Sequence, residues 1–481
     1  MNYPDTILQS DPMLPLFEAD NAAIAKLQEL AAGYRAEEHD GDRLRIHLIL
    51  RDQHLADSLK RLPLTGEMAD NVELYAYTTE DLWSMEMLGL RPESPTRLDR
   101  VPMRHDSNLR VHLVVFGASN QSSSLAIHTA LTAHYPNYCR DNTLRTRITM
   151  VSDSLQDFHD FLQQYQNLLC NSYRRMVTVQ NDEVRTTLME PQYIGIRNDF
   201  VDVEWEFVEG RNSDAAILYK LQKWAQDGQQ QLTIAFCHDE DNRNLREMLT
   251  LPASVLTSTP IWVKTADDRA ISFLKQSKQY AQVVPFGMRV SSLPDMSVFI
   301  RMAQCVNFAY LQMREITAES GNRDKADLAV ALAPPTDRQL QESWNSKRLT
   351  TLTRWSNIHN AFTIRTKMHS LGHADEEWGT LFAIGDRETA LLAEVEHNRW
   401  SVEELILGLR PTSEEEHSAI KKDPSLRSRL KAVNAHDDLR NFLELGVDET
   451  GLSVTRYDVG FTRTLPLIAY SYHQLQQINH E

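Results

Sequence analysis

The strongest constraint on the fold is a series of short apolar runs, each separated from the next by a stretch long enough for a helix. Val111–Phe116 (VHLVVF), Arg147–Val151, Val201–Val208, Leu232–Phe236, Ile261–Lys264 and Val283–Phe286 read as strands. Helical patterns follow at about 122–134, 155–173, 239–251 and 267–278. Strands alternating with helices require crossover connections and a parallel sheet. Residues 174–200 interrupt the series as an insertion with the pattern of a hairpin.

The flanks read differently. Residues 1–42 form an acidic lead-in with one helix, and Arg45–Leu50 and Val72–Tyr77 are β-type runs that either extend the sheet or form a degenerate half-unit. Segment 92–109 carries three prolines and no periodicity, as a linker does. Val298–Ile316 is a long apolar-rich helix, with breaks expected at 319–328 and Pro334-Pro335. Helices with polar turns fill 336–445, and the tail holds one β-like run, Leu452–Tyr457. The expected division is an N-terminal α/β extension (1–110), a sheet domain (111–295), a connecting helix and linker (296–335), a helical domain (336–450) and a tail (451–481).

Composition limits the function. The net charge of −17 argues against broad nucleic-acid binding, which needs a basic face. Hydrophobic residues at 42% and charged residues at 24% suit a globular core. No apolar run approaches the ~18 residues of a membrane span, so no membrane insertion is expected. The N-terminus lacks the basic and apolar regions of a signal peptide, and Cys139, Cys170, Cys237 and Cys305 show no CxxC spacing. A reduced, cytoplasmic setting is the expectation.

Two regions could carry chemistry. After the VHLVVF strand comes Gly117-Ala118-Ser119-Asn120-Gln121-Ser122. Against G-x-G-x-x-G it keeps the first glycine and places Ser119 and Ser122 at the other two. Such a turn at a helix N-terminus can cradle phosphate, or it can be an ordinary strand-to-helix turn. Asp153, at the end of the next strand, could accept ribose hydroxyls or cap a helix. It lies 36 residues after Gly117, against the usual ~20. His238, Asp239, Glu240 and Asp241 form an acidic cluster after the LTIAF strand; they could hold a metal or act as bases, or they could open a helix.

In the helical region, Glu396, Trp400 and Glu403 share a helix face, with His397 beside them. Trp400 could stack on a nucleobase or anchor the core. The run 421–431 (KKDPSLRSRLK) has five basic residues and one acid, a phosphate clamp or a solvated helix start. Lys421, Lys422 and Arg427 are its candidate ligands; Arg399 and Arg410 are weaker ones. Arg354, Asn357 and Arg365 lie in an upstream stretch that could face the same pocket.

Residues 111–290 resemble the TrkA-N type of Rossmann domain, the nucleotide-sensing module of potassium-channel regulators. The likeness rests on VHLVVFGASN, VEWEFVEGRNSDAAIL, TIAFCHDEDNRNL, IWVKTADD and QVVPFG. It departs in lacking the second and third glycines, in reading Glu209-Gly210-Arg211 where Gly-Asp is usual, and in the extra 174–200. Residues 340–445 resemble the RyR domain, the helical repeat named after ryanodine receptors. LLAEVEHNRWSVEELILGLRP supplies His397, Trp400 and Gly408; Lys421, Pro424, Leu426 and Asp438 follow, and RWSN and KMHSLG match upstream. The Glu414-Glu415-Glu416 run replaces a shorter, more neutral turn.

Together the resemblances imply an α/β chain: a Rossmann-like doubly wound parallel sheet followed by an all-α RyR-like domain. They imply nucleotide recognition, with NAD or an adenine nucleotide as the ligand. The ligand-binding residues would be His397, Trp400, Glu403, Arg410, Lys421, Lys422 and Arg427, with Arg354, Asn357 and Arg365, on the helical side. On the sheet side they would be Gly117, Ala118, Ser119, Asn120, Ser122, Asp153 and Asp239. No pairing of residues marks a catalytic centre. The expected role is a sensor that acts through homo-oligomerisation or a downstream effector protein; bacterial defence systems are one setting for such architectures. The alternatives are a nicotinamide-dependent oxidoreductase or nucleotide-processing enzyme, and a scaffold whose ligand site has decayed.

Overall fold

The structure is a computed structural model. It describes residues 6–36, 43–62, 64–90, 97–180, 183–192, 200–287, 296–320, 334–346, 349–373, 378–380, 384–446 and 453–478. The loop expected at 92–109, the insertion 174–200 and the breaks at 319–328 lie partly outside these residues.

The first strand–helix units build a sheet of their own. Strands β1 (Thr6–Gln9), β2 (Leu44–Leu50) and β3 (Val72–Thr78) pair in parallel in the order β1-β2-β3. Helix α1 (Leu16–Gly33) packs Ala23 and Leu27 on Ile46, Leu48, Val72 and Leu74. Helix α2 (Gln53–Arg61) is capped by Asp52, whose carboxylate accepts from Leu55 N. Helix α3 (Thr79–Met85) begins with a reciprocal capping box between Thr78 and Asp81. The β-type runs at 45–50 and 72–77 therefore neither extend the larger sheet nor stand alone.

The second sheet has eight strands, β4 (Arg110–Phe116), β5 (Thr146–Ser152), β6 (Arg174–Gln180), β7 (Glu183–Met189), β8 (Val203–Glu209), β9 (Gln230–Phe236), β10 (Ile261–Lys264) and β11 (Val283–Phe286). Their order is β11-β10-β9-β4-β5-β8-β6-β7. All pairs are parallel except β6 with β7, the hairpin expected in the insertion. Helices α4 (Asn120–Thr132), α5 (Ala215–Gln226) and α6 (Asp241–Leu249) connect strands. Val114 and Phe116 enter one core cluster while Leu113 and Val115 enter another. Burial on both faces is why this strand reads as a continuous apolar run. From β4 the chain winds to one side through β5 and β8, then returns to the other side through β9, so the order reverses between β4 and β9.

Helices α7 (Ser297–Ser320), α8 (Asp337–Trp344), α9 (Thr351–Leu371), α10 (Asp386–Ile406), α11 (Glu414–Lys422), α12 (Leu426–Lys431) and α13 (Arg456–Ile478) dominate the rest. The region expected to be all-α also holds a short parallel strand pair, Arg410–Pro411 with Ala435–His436. Thr350 caps α9 by accepting from Thr353 N, and Gly372, at φ +92°, ends it in the left-handed conformation that glycine adopts freely. Two expectations are corrected here. Residues 297–320 are not a connector: Phe299, Ile300, Ala303 and Val306 lie in the central core with Trp355, Phe362, Leu465 and Ile468. The β-like run 452–457 gives way to α13 from Arg456 onward. Its β-branched and aromatic residues favour a strand locally, but packing against α7 decides, with Tyr457 stacking on Tyr310 at 6.3 Å.

That core also takes Tyr75 and Tyr77 from β3 and Leu82 and Met85 from α3, so the small sheet and the helices share it. Val402 and Leu405 of α10 join the larger sheet's cluster around Trp205 and Phe207. Among the described residues no helix is long and apolar enough to cross a membrane.

Candidate functional site

The structure assembles the glycine turn at the reversal point and fills it with the chain's own contacts. Gly117 has φ +106°, and a Cβ there would lie 2.9 Å from the backbone nitrogen of His238. Ser119 caps α4 by accepting from Ser122 N at 3.2 Å. Its hydroxyl also donates to the Cys237 carbonyl, as the Ser122 hydroxyl does at 3.3 Å. Serines standing at glycine positions thus stitch β4 to β9. Ala118 is half-buried and Asn120 exposed. Helix α3 lies across α4: Gln121 Nε2 donates to Glu80 O at 3.2 Å and to Ser84 Oγ at 2.9 Å, and Ser124 Oγ donates to Asp81 at 2.9 Å.

Asp153 takes neither expected role as a cap nor stands open. Arg243 Nη2 contacts both its oxygens at 3.1 Å and Arg211 approaches to 3.4 Å, while Ser154 caps the next turn. Asp239 faces Lys264 at 3.6 Å and is not a cap; the residue preceding α6 is Glu240, which makes no side-chain capping bond. Among the described residues no group of three or more His, Cys, Asp and Glu side chains is placed to hold a metal ion.

A cavity of about 410 Å³ opens instead among the helices. Its walls follow helical periodicity. Thr353, Ser356, Asn357 and Asn360 of α9 stand at i, i+3, i+4 and i+7; Glu396, Arg399 and Trp400 of α10 and Val454, Tyr457, Asp458 and Phe461 on the α13 side repeat the spacing. Val306, Asn307 and Tyr310 of α7, His397 of α10, Lys431 of α12, and His436 and Asp438 beyond it complete the lining.

The floor is a buried ionic network. Arg399 holds Glu396 through Nε and Nη2 at 3.0 and 2.9 Å, and Glu403 through Nη1 at 2.8 Å. Lys367 Nζ reaches Glu396 at 2.5 Å, and Asn360 donates to the same carboxylate at 2.8 Å. Glu403 also binds His359 at 2.8 Å and Ser356 at 3.0 Å. Burial alone would favour neutral Glu403, but Arg399 and His359 hold its carboxyl down at about 2. Burial lowers Lys367 to about 8, with Glu396 resisting.

The walls are aromatic. The His397 ring lies 5.6 Å from Trp400, donates through Nε2 to Arg440 O at 2.9 Å, and approaches Asp458 at 3.5 Å. Burial opposes its charge, yet the Asp458 hydrogen bond and charge raise its pKa. Half-buried Trp400 meets His436 edge-on at 5.0 Å. Burial first, then Lys431, takes His436 down to about 4, a neutral imidazole at physiological pH. Lys431 is exposed at the rim and has no ion pair among the described residues.

Of the residues expected to meet here, the cavity gathers His397, Trp400 and Asn357. Glu403 lies beneath it, in the network. The others do not line it. Lys421 and Lys422 are exposed in the last turn of α11, because the chain breaks at Asp423-Pro424 and α12 turns differently. Arg427 is held by Asp437 and Asp438 at 3.0 and 2.9 Å, and Arg410 by both oxygens of Glu416 at 2.8 Å. Arg354 donates to Trp344 O at 3.0 Å, and Arg365 to Gly89 O at 2.5 Å over the ring of Trp378. The sequence marked Asn357 but not Thr353, Ser356 and Asn360, which with it form a polar stripe whose spacing marks a helix face turned toward a shared interior.

Glu404 beside Trp400 gives a pH prediction. Its carboxyl is pushed up to about 7, by burial first and by the charge of Glu403 second. The folded chain keeps a proton that the unfolded chain releases above its ordinary value of 4.5, so this group makes stability fall as pH rises from 4.5 to 7. At about 1.4 kcal/mol per unit the cost approaches ~3 kcal/mol. Glu404→Gln should therefore be the more stable protein above neutral pH. It should also lose a Trp400 fluorescence titration near neutrality, read as the difference from Trp400→Phe. Superimposable pH–stability profiles for wild type and variant would refute this.

Compared with known proteins, the chain matches no family model, no curated protein and no solved structure.

Proposed function

We propose that this chain is a nucleotide-sensing regulatory protein whose ligand, a nucleotide or nucleotide-derived anion, binds in the helical cavity. The observation that carries the reading is the combination of surfaces there. Trp400 neighbours two histidine rings, His397 and His436, Arg399 lies in the floor, and Lys431 offers a cation at the rim. An aromatic face suits a base, a rim cation suits a phosphate, and Asn357 and Asp438 suit amino or hydroxyl groups. The volume falls within the ~300–1,000 Å³ usual for small-molecule sites. The resemblance of residues 340–445 to RyR domains supports the same ligand class.

The large sheet supports the fold half of the reading. Its order β8-β5-β4-β9-β10-β11 is that of a doubly wound Rossmann-like sheet. Its crevice favours a structural role over dinucleotide binding, because Ser119, Ser122 and Asp153 are engaged by Cys237, Arg211 and Arg243. A dehydrogenase reading finds no support in that arrangement.

The test is a thermal-shift panel of NAD, ATP, ADP-ribose and cyclic nucleotides, with turnover followed in parallel. A shift without turnover is expected. Stacking on an aromatic contributes about 1–3 kcal/mol per base, so Trp400→Ala should weaken binding about 10–100-fold. Lys431→Glu should weaken it and flatten its salt dependence, whereas charge reversal at Lys421 and Lys422 should leave affinity within about twofold. Equal losses from both kinds of charge reversal would move the anion site back to the 421–422 turn.

A further inference from the structure

The outermost strand of the large sheet carries a pattern that the ligand reading does not use. One cross-sheet row runs through registered partners: Val263, Phe236, Phe116, Val151, Val208, Val177 and then Thr186. Every member up to Val177 is buried in one core cluster. At β7 the burial stops: all seven residues, Glu183–Met189, are exposed, and β7 is the last strand in the order. Val184 and Leu188, on the same face as Thr186, are 43% and 49% exposed. Among the described residues the apolar layer thus runs off the edge of the sheet uncovered.

Natural edge strands are blunted by lysines, prolines, bulges or brevity. Here the register with β6 runs from 174↔189 to 180↔183 without a skip, so there is no bulge. The strand contains no proline, and its two charges, Glu183 and Arg185, lie 3.6 Å apart and answer each other. The edge is left competent to pair.

We propose that β7 pairs antiparallel with β7 of a second copy, about a twofold axis through Thr186, joining the two eight-stranded sheets edge to edge. The pattern selects that occupant because it is self-complementary. A twofold at Thr186 sets Val184 opposite Leu188 on both sides and Thr186 opposite itself, extending the apolar layer into the partner. On the other face Arg185 meets Thr187 and Glu183 meets Met189, so no like charges stand directly opposite. Apolar and threonine cross-strand pairs of this kind are favourable, and an isologous interface requires this reciprocity. The inference is independent of the ligand site.

Light scattering on the purified full chain at micromolar concentration tests it. Wild type should have twice the chain mass, and Val184→Lys with Leu188→Lys should give a monomer that still melts cooperatively. Should that double variant fold poorly, Thr186→Cys decides separately. Oxidation or a short bifunctional thiol reagent should join its two copies, while wild type, with the same four native cysteines, should not be joined. A monomeric wild type, a well-folded double variant that remains dimeric, or a Thr186→Cys dimer that resists cross-linking would each overturn the proposal.

Discussion

Arg399→Leu should destabilise the protein by about 3–5 kcal/mol, because removing one partner of a buried ion pair leaves the other charge uncompensated. Arg399 is 2% exposed, and Glu396 and Glu403 are 5% and 1% exposed. Without the guanidinium, Lys367 still faces Glu396, but among the described residues Glu403 keeps only His359 and Ser356. The acid limb should change with it. In the wild type Glu403 holds its charge down to about 2, so its stabilisation is present above the ordinary value of 4.5 and is lost as pH falls from 4.5 toward 2. In the variant that loss should begin at higher pH. Urea denaturation across the acid range measures both effects. A variant within about 1 kcal/mol of wild type would mean that the network tolerates the loss and that the floor of the cavity is not built on it.

Asp81→Ala should be comparably severe, at about 3–5 kcal/mol, for a related reason at another place. Asp81 is buried where the small sheet, the large sheet and the helices meet. Its carboxylate accepts from Lys60 and Gln53 at 3.2 Å, from Ser124 at 2.9 Å and from His128 at 3.1 Å. Burial would raise its pKa, but Lys60 and His128 hold it well below the usual carboxylate range. Lys60 keeps Asp57 at 2.9 Å when Asp81 is removed, so Asp81→Asn, which preserves the shape and some hydrogen bonds, should cost less. Amide exchange should quicken first in α3 and the first turns of α4. Global exchange with no local excess would argue against a junction role for Asp81.

The large sheet was legible because its parallel strands are buried on both faces and therefore appear as unbroken apolar runs, as VHLVVF and LTIAF do. β1 was not, since its four residues (TILQ) are only partly buried and carry no run. The role of α7 was hidden for another reason. Its apolar length was plain, but only the contacts of Phe299 and Val306 show that it is core rather than connector.

The cavity was half legible. His397, Trp400 and Asn357 stood out by residue type and spacing. The basic run 421–431 misled, because neighbours in sequence separate once Pro424 breaks the helix. Lys421 and Lys422 face water, Arg427 turns inward to Asp437 and Asp438, and Lys431 alone reaches the rim. The residues contributed by α7 and α13 come from segments read as a connector and a tail, so no local pattern could join them to Trp400.

The central claim is that the helical cavity, and not the sheet crevice, recognises a nucleotide. Calorimetric titration of whichever panel nucleotide shifts melting most, into wild type, Trp400→Ala and Asp153→Asn, tests it most directly. Saturable binding that Trp400→Ala weakens by about 10–100-fold and Asp153→Asn leaves unchanged is the predicted result. Binding that survives Trp400→Ala but fails in Asp153→Asn, or no binding of any panel member at millimolar concentration, would contradict it.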